Sequence, residues 1–245
     1  MNQNIQVKAF FDQTQRYLHK PFGVRLRALI ADQMLKQVSW RHMLDIGCGD
    51  GGVSLQFLNS GGTLTLMDLS DKMLALAQQN CPQDKIEQVI FINQDFLSYQ
   101  PERTYDVILC FGVLAHVPDV GTAIKRLSSL IRPGGVCLVQ FTDQGQWMAR
   151  LQWIVYRWQR RRKDDYRYTV NPVTDADIIA LVKENNLQVV DTIRYSFLLP
   201  GMGRLPDDWL YRYQLLSLEN FWIARHGTEV VLKVVKPERL EIKYD

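Results

Sequence analysis

Residues 42–70, HMLDIGCGDGGVSLQFLNSGGTLTLMDLS, decide how the rest of the chain is read. Two short apolar runs, 43–46 and 64–67, read as buried strands on either side of a loop containing Gly47, Gly49, Gly51 and Gly52. Glycine lets a backbone turn sharply and approach a ligand without a Cβ in the way. Val53, Leu55, Phe57 and Leu58 follow at helical spacing, so the loop is expected to open a helix whose first amides attract an anion. Asp68 closes the second run, where a strand-end carboxylate can accept hydrogen bonds from both hydroxyls of a ribose. The two halves of the stretch together propose a nucleoside-cofactor site.

The pattern continues outward from there. Residues 5–38 read as helices interrupted by Pro21-Phe22-Gly23, a flap ahead of the first strand from which Tyr17 and Arg25 are close enough in sequence to be weighed as cofactor contacts or as plain surface residues. Ser70 is placed to cap a helix that Cys81-Pro82 ends. A third strand over 88–93 leads to a second acid, Asp95, and the continuous apolar run YDVILCFGV at 105–113 is that of a strand covered on both faces. Asp119 can cap the next helix, Arg132-Pro133-Gly134-Gly135 reads as a stop and turn, and 136–141 is another buried strand. After a break, a helix to Asn185, a strand over 187–197 and a final strand or strand pair spanning 221–235 complete the series. Strands alternating with helices at this spacing imply an α/β, Rossmann-like doubly wound sheet, because parallel neighbours need a covering crossover. Ligands of such sheets bind beyond the carboxyl ends of the strands, where Gly47, Asp68, Asp95, residues 110–116 and Asp143 all fall.

At 245 residues, 47% hydrophobic and with a net charge of +3, the chain has the composition of a soluble globular protein, and the charge is too slight to indicate a nucleic-acid partner. The start carries no signal-type apolar segment and the run at 107–115 is too short to span a bilayer, so a cytoplasmic protein is expected. Cys48, Cys81, Cys110 and Cys137 form no C-x-x-C pair and read as small reduced apolar residues.

These residues resemble the class I S-adenosylmethionine-dependent methyltransferases of small-molecule type. The resemblance rests on DIGCGDGG at 45–52, LMDLS at 66–70, QDF at 94–96, YDVILCFGVLAHV at 105–117 and RPGGV at 132–136, in the family's order and spacing. It implies a seven-stranded sheet with the last strand antiparallel, and S-adenosylmethionine as cofactor. It further implies that Asp45, Gly47, Cys48 and Gly49 with the adjacent backbone hold the methionine moiety and that Asp68 holds the ribose hydroxyls. Leu69 and Met73 would then face adenine, Asp95 would accept from the adenine amino group beside Phe96, and the backbone at Cys110 and Phe111 would meet the cofactor's amino group.

The expected reaction is methyl transfer to a small-molecule or lipid- or sugar-linked acceptor, most simply at oxygen, since no [N/D/S]-P-P-[Y/F] run follows the fourth strand: Cys110-Phe111-Gly112-Val113 stands there. His116 is the candidate catalytic base, against a second reading as a packing or helix-start residue. No metal is expected, Asp143 being an isolated carboxylate. The chain divides into an N-terminal helical flap at 1–39, a cofactor-binding domain at 40–143 and 171–236, and inserts at 144–170 and 198–218 read as a substrate lid. The first insert carries seven Lys or Arg against three Asp over 143–170, and its aromatics make Trp147, Tyr166 and Tyr168 candidate acceptor contacts. Residues 147–163 are equally a candidate for peripheral membrane contact, or for a helix packing its stripe with the basic run solvated. Two other functions compete: an NAD(P)-binding Rossmann enzyme, and a methyltransferase fold that binds cofactor without catalysis. The oligomeric state is not legible.

Overall fold

The computed structural model describes residues 3–12, 21–160, 171–199, 202 and 205–238. Helices α1 (Gln3–Phe11) and α2 (Pro21–Leu35) precede β1 (His42–Ile46), a 3-10 turn (Leu55–Ser60), β2 (Thr63–Asp68), α3 (Asp71–Asn80) and β3 (Val89–Asn93). Then come β4 (Tyr105–Phe111), α4 (Val120–Leu130), β5 (Ile131–Thr142), α5 (Trp147–Arg160), α6 (Asp175–Glu184), β6 (Gln188–Tyr195), α7 (Asp207–Glu219), the single turn α8 (Phe221–Ala224) and β7 (Glu229–Val235). The strands form one sheet in the order β3-β2-β1-β4-β5-β7-β6, in which β7 runs antiparallel to both β5 and β6. This is the seven-stranded, doubly wound sheet that the sequence implied.

Strand alternation feeds two cores. On β1 and β4, Met43, Val107, Leu109 and Phe111 pack on one face against α2 and α3, while Leu44, Ile46, Ile108 and Cys110 pack on the other against α4 and α6. Both faces being covered, β4 reads as a continuous apolar run, and each fully buried aliphatic contributes about 1.5–3 kcal/mol. The helix starts follow their caps: Ser70 Oγ accepts from Met73 N at 3.2 Å, and Asp119 from Thr122 N at 2.6 Å. Thr174 and Asp177 form a reciprocal capping box.

Four expectations are corrected. Pro21 does not break a helix but begins α2, where its missing N–H and fixed φ cost nothing. The glycine loop opens no α-helix: between Gly52 and Gly61, which adopts φ 78°, the chain completes only the 3-10 turn, anchored by buried Phe57 and Leu58. Residues 132–135 lie within β5 as a wide bulge, since Tyr105 pairs with Ile131 while Val107 pairs with Val136. The apolar run 221–224 is helical, capped by Asn220, and β7 starts only after Gly227, whose Cβ would lie 2.3 Å from the Tyr195 carbonyl oxygen.

Candidate active site

Beyond the carboxyl ends of β1, β2 and β4 lies a cavity of about 570 Å³, lined by Gly47, Gly49, Asp68, Leu69, Asp95, Phe96, Phe111, Gly112, Val113 and His116 from the sheet side. Its roof comes from α1 and α2, through Asn4, Val7, Lys8, Phe10, Phe11, Phe22 and Arg27. Asp68 is tied down from two sides: Gly49 N donates to Oδ2 at 2.9 Å and Ser70 N to Oδ1 at 2.8 Å. Burial pushes its carboxyl upward, opposed by the amides of Ser70, Gly49 and Leu69. Asp95 accepts from Leu97 N at 2.9 Å and from the Asn4 side-chain amide at 2.8 Å, so α1 reaches across the mouth at that acid. Lys8 on the same helix pairs with Asp12 and Asp71, and Ser70 Oγ donates to Asp12 at 2.6 Å.

The loop itself carries a surprise for the anion argument. Gly47 N and Cys48 N both donate to the Met67 carbonyl, Gly49 N to Asp68, Gly51 N to the Cys48 carbonyl and Gly52 N to Asp50. These amides fasten the loop to β2 and to itself, so a ligand's anionic group must find its cation elsewhere. Arg27, on α2, lines the cavity and lies over Gly112, whose Cβ would meet its two terminal nitrogens at 3.5 and 3.6 Å. Sequence reasoning singled out Arg25 instead. Arg25 in fact bonds Asp208 at 3.2 Å and lies 3.9 Å over the Tyr211 ring, fastening α2 to α7. Helical spacing carries the missed signal: Arg27 lies one turn beyond Gly23 on the same face of α2, and Gly23 also lines the cavity.

Four of the named cofactor residues stand behind the cavity wall. Asp45, Cys48, Met73 and Cys110 are buried and do not line it. Met73 belongs to the packed face of α3, and the residues just ahead of that helix, Leu69 and Ser70, line the cavity instead. Burial pushes the Cys110 thiol up to about 12, as suits a packing residue. Asp45 is pushed up to about 7 by burial, with Asp68 and Asp50 adding to the rise. The Ser54 hydroxyl is close enough to oppose that shift, yet neither Ser54 Oγ nor Asp45 Oδ2 completes a hydrogen bond among the described residues.

His116 lines the cavity, with its ring edge-on to Phe11 at 5.4 Å between centroids. Burial first, and then Arg27, lower it to about 4, so it is neutral at physiological pH. Trp147 is not in the cavity wall: it is half exposed and its indole N–H donates to His226 Nδ1 at 3.2 Å. Tyr17, Tyr166 and Tyr168 lie outside the described residues. Asp143 accepts from Gly145 N and Asp175 N and pairs with Arg194 at 2.9 Å. Among the described residues no cluster of three or more His, Cys, Asp or Glu is placed to hold a metal, and no helix is long and apolar enough to cross a membrane.

A family model for a methyltransferase domain matches residues 44–137, the segment that supplies the glycine loop, both strand-end acids and β4. Over that segment the chain is similar to methyltransferase domains. The ubiquinone biosynthesis O-methyltransferase of Coxiella burnetii is 32% identical over 119 residues, 48% of this chain and 49% of that one. That of Nitrosomonas europaea is 32% identical over 120 residues, 48% and 50%. The chain thus matches about half the length of these curated relatives. Among solved structures, magnesium protoporphyrin IX methyltransferase from Synechocystis PCC 6803 with bound SAH superposes with a TM-score of 0.68 at 16% identity, covering 96% of this chain and 100% of that one. The N-methyltransferase NodS from Bradyrhizobium japonicum, also with S-adenosylhomocysteine, gives a TM-score of 0.58 at 15%, covering 91% and 90%. A cyclase, SpnF, shares the fold too, with a TM-score of 0.59 at 15% identity and coverage of 88% and 82%. At these identities the likeness is one of fold.

The residues lining the cavity fit S-adenosylmethionine by their chemistry. Gly47, at φ 68°, has Val113 Cγ2 2.6 Å from where a Cβ would stand, so a side chain there would meet both backbone strain and Val113. Two carboxylates mark one end of the cavity and a guanidinium the other, as a ligand with ribose and adenine at one end and an amino acid at the other requires.

Proposed function

We propose that the chain methylates a small-molecule acceptor at oxygen. The observation that carries this reading is the linear arrangement of Asp95, Asp68, Gly47 and Arg27 along one cavity, with His116 beside the point where the glycine floor meets β4. Asp68 would hold the ribose hydroxyls, Asp95 the adenine amino group with Leu69 and Phe96 alongside, the Phe111 backbone the cofactor's amino group, and Arg27 its carboxylate. Bound S-adenosylmethionine supplies an electrophilic methyl on a sulfonium sulfur. The chain must then hold a nucleophile in line with that methyl and exclude water, and positioning alone is worth about 7–11 kcal/mol. With the cofactor bound, the acceptor oxygen would bond to the methyl carbon as the carbon–sulfur bond breaks and sulfur keeps the electron pair, and the hydroxyl proton would be lost to bulk solvent outside the closed site.

His116 serves this step as a hydrogen-bond acceptor that orients the acceptor hydroxyl. Moving a proton from a phenol of pKa about 10 to an imidazole at about 4 would stand about 8 kcal/mol uphill, which disfavours it as the final proton sink. The reading is tested by calorimetry with S-adenosylhomocysteine. Asp68→Asn, which keeps the volume and loses the charge, should weaken binding about 10- to 100-fold, the worth of one charge-assisted hydrogen bond. Unchanged affinity would remove the assignment. Methyl transfer to catechols and other hydroxylated acceptors, followed with labelled cofactor, tests the reaction itself.

A second reading concerns where the acceptor is met. Trp147, Leu151 and Ile154 on α5 stand 51%, 38% and 59% exposed, and Phe221 and Trp222 stand 73% and 68% exposed, with Arg225 4.8 Å over the Trp222 ring. Aromatics beside arginine suit the interface of an anionic membrane. Sedimentation with phosphatidylglycerol vesicles should exceed that with phosphatidylcholine, and Trp147→Ala with Trp222→Ala should abolish the difference.

A further inference from the structure

Arg27 lines the cavity, and its guanidinium also lies over Gly112, in space that a side chain at this glycine would take. Its two terminal nitrogens, at 3.5 and 3.6 Å, and Gln140 Oε1, at 3.7 Å, surround the point where that Cβ would stand. Gln140 pairs with Phe111 where β5 meets β4, and its amide nitrogen donates to the Glu229 carboxylate at the start of β7. The Thr142 hydroxyl donates to the other oxygen of that carboxylate at 2.8 Å. Thr142, Glu229 and Tyr195 stand directly opposite one another across β5, β7 and β6, so the register of the antiparallel strand sets where the carboxylate sits. The charge of Arg27 reaches this cluster. Burial pushes the Glu229 carboxyl up, and Arg27 opposes the rise more strongly than Thr142 or Gln140 does. Burial also pushes Tyr195 up to about 12, again against the charge of Arg27. Glu229, Gln140, Thr142 and Tyr195 do not line the cavity, so a ligand there meets this cluster only through Arg27.

We infer that Glu229 is a positioning residue: its carboxylate, fixed by Gln140 and Thr142, holds the Arg27 guanidinium over Gly112, so that the cofactor's carboxylate meets a cation already in place. The inference rests on the role given to Arg27 under the proposed function. Two effects of Glu229 oppose each other. A negative charge near the guanidinium weakens its pull on a second carboxylate. Against this, an arginine left to sample its rotamers must be ordered by the ligand, and the freedom lost then subtracts from affinity. The planar guanidinium carries five donors in a rigid fork, so one edge can serve Glu229 while another serves the ligand. Attraction to the ligand therefore survives the pairing, and the ordering is complete before the ligand arrives. Gly112 completes the arrangement, since a Cβ there would stand against both terminal nitrogens. On this account strands β5 and β7, which contribute no residue to the cavity wall, act on cofactor binding through one side chain of α2.

The experiment compares S-adenosylhomocysteine with 5′-methylthioadenosine, which keeps the nucleoside and the sulfur but lacks the amino-acid end, by calorimetric titration of the full chain. Wild type should prefer S-adenosylhomocysteine at least tenfold, and Arg27→Met should remove most of that preference. Glu229→Gln, which keeps the volume and loses the charge, should weaken S-adenosylhomocysteine about tenfold and leave 5′-methylthioadenosine within twofold. Should Glu229→Gln not yield folded protein, Thr142→Val carries the test, with about a threefold loss for S-adenosylhomocysteine and none for 5′-methylthioadenosine. A merely structural role would weaken both ligands alike, and that result overturns the inference. So does an unchanged or tighter S-adenosylhomocysteine constant in Glu229→Gln. A preference that survives Arg27→Met removes the role given to Arg27, and the inference falls with it. A preference that depends on both residues, without methyl transfer to any acceptor, counts instead against the proposed function and leaves the positioning role standing.

Discussion

Asp45 shows how a residue adjacent to a site can be essential to its electrostatics without touching a ligand. It is 2% exposed on β1, directly before the glycine loop, and burial pushes it up to about 7. Its folded pKa lies above the ordinary carboxyl value near 4, so the folded state binds the proton more tightly and stability falls as pH rises between about 4 and 7. Asp45→Asn removes that slope: its stability should exceed wild type at pH 8, by up to about 4 kcal/mol, and converge with it only near pH 4, as thermal denaturation would register. His116 has the opposite sign. Lowered to about 4, it costs stability as pH falls below its ordinary value near 6.5, so His116→Phe should flatten stability between pH 6.5 and 4. At Gly47, a side chain would be strained at φ 68° and would strike Val113, so Gly47→Ala should destabilise by about 1–3 kcal/mol and weaken S-adenosylhomocysteine binding.

Among elements, the ends of β5 and α6 are tied together by an ion-pair network with β6. Asp143 at the end of β5 bridges to Val173, and Arg194 on β6 pairs with both Asp143 at 2.9 Å and Asp175 at 2.7 Å. The Asp143 side chain is 6% exposed, so removing its partner leaves a buried unpaired charge. Arg194→Met should cost about 3–5 kcal/mol by chemical denaturation, well beyond the value of a surface pair. Thr174→Ala, which deletes one half of the α6 capping box, should cost about 1 kcal/mol in the same assay.

At the scale of the molecule, the sheet order arrays the ligand-binding groups in a line across β3, β2, β1 and β4, with α1 and α2 closing over them. A cavity walled by the flap on one side and the sheet on the other links binding to global stability. At about 100 times its dissociation constant, S-adenosylhomocysteine should stabilise the fold by about 2.7 kcal/mol, a rise of about 5–10 °C in melting temperature by scanning fluorimetry.

The parallel sheet, the strand-end positions of Gly47, Asp68 and Asp95, and the caps at Ser70, Asp119 and Thr174 were legible because each is a local signal: apolar run length, glycine punctuation, or a short polar side chain at a helix start. The amino-acid sequence by itself determined the fold class and the two strand-end acids that line the cavity. Tertiary structure alone decided which residues face the cavity. Met73 and Leu69 differ by one turn of chain, yet packing buries the first and presents the second, and Arg25 and Arg27 part ways for the same reason. It also decided that the loop amides bind the loop itself, since the Met67 carbonyl and Asp68 carboxylate that receive them come from the neighbouring strand. Phe11 was invisible as a cavity residue for a like cause: it lies more than thirty residues ahead of the glycine loop and meets His116 only when α1 folds back over the strand ends.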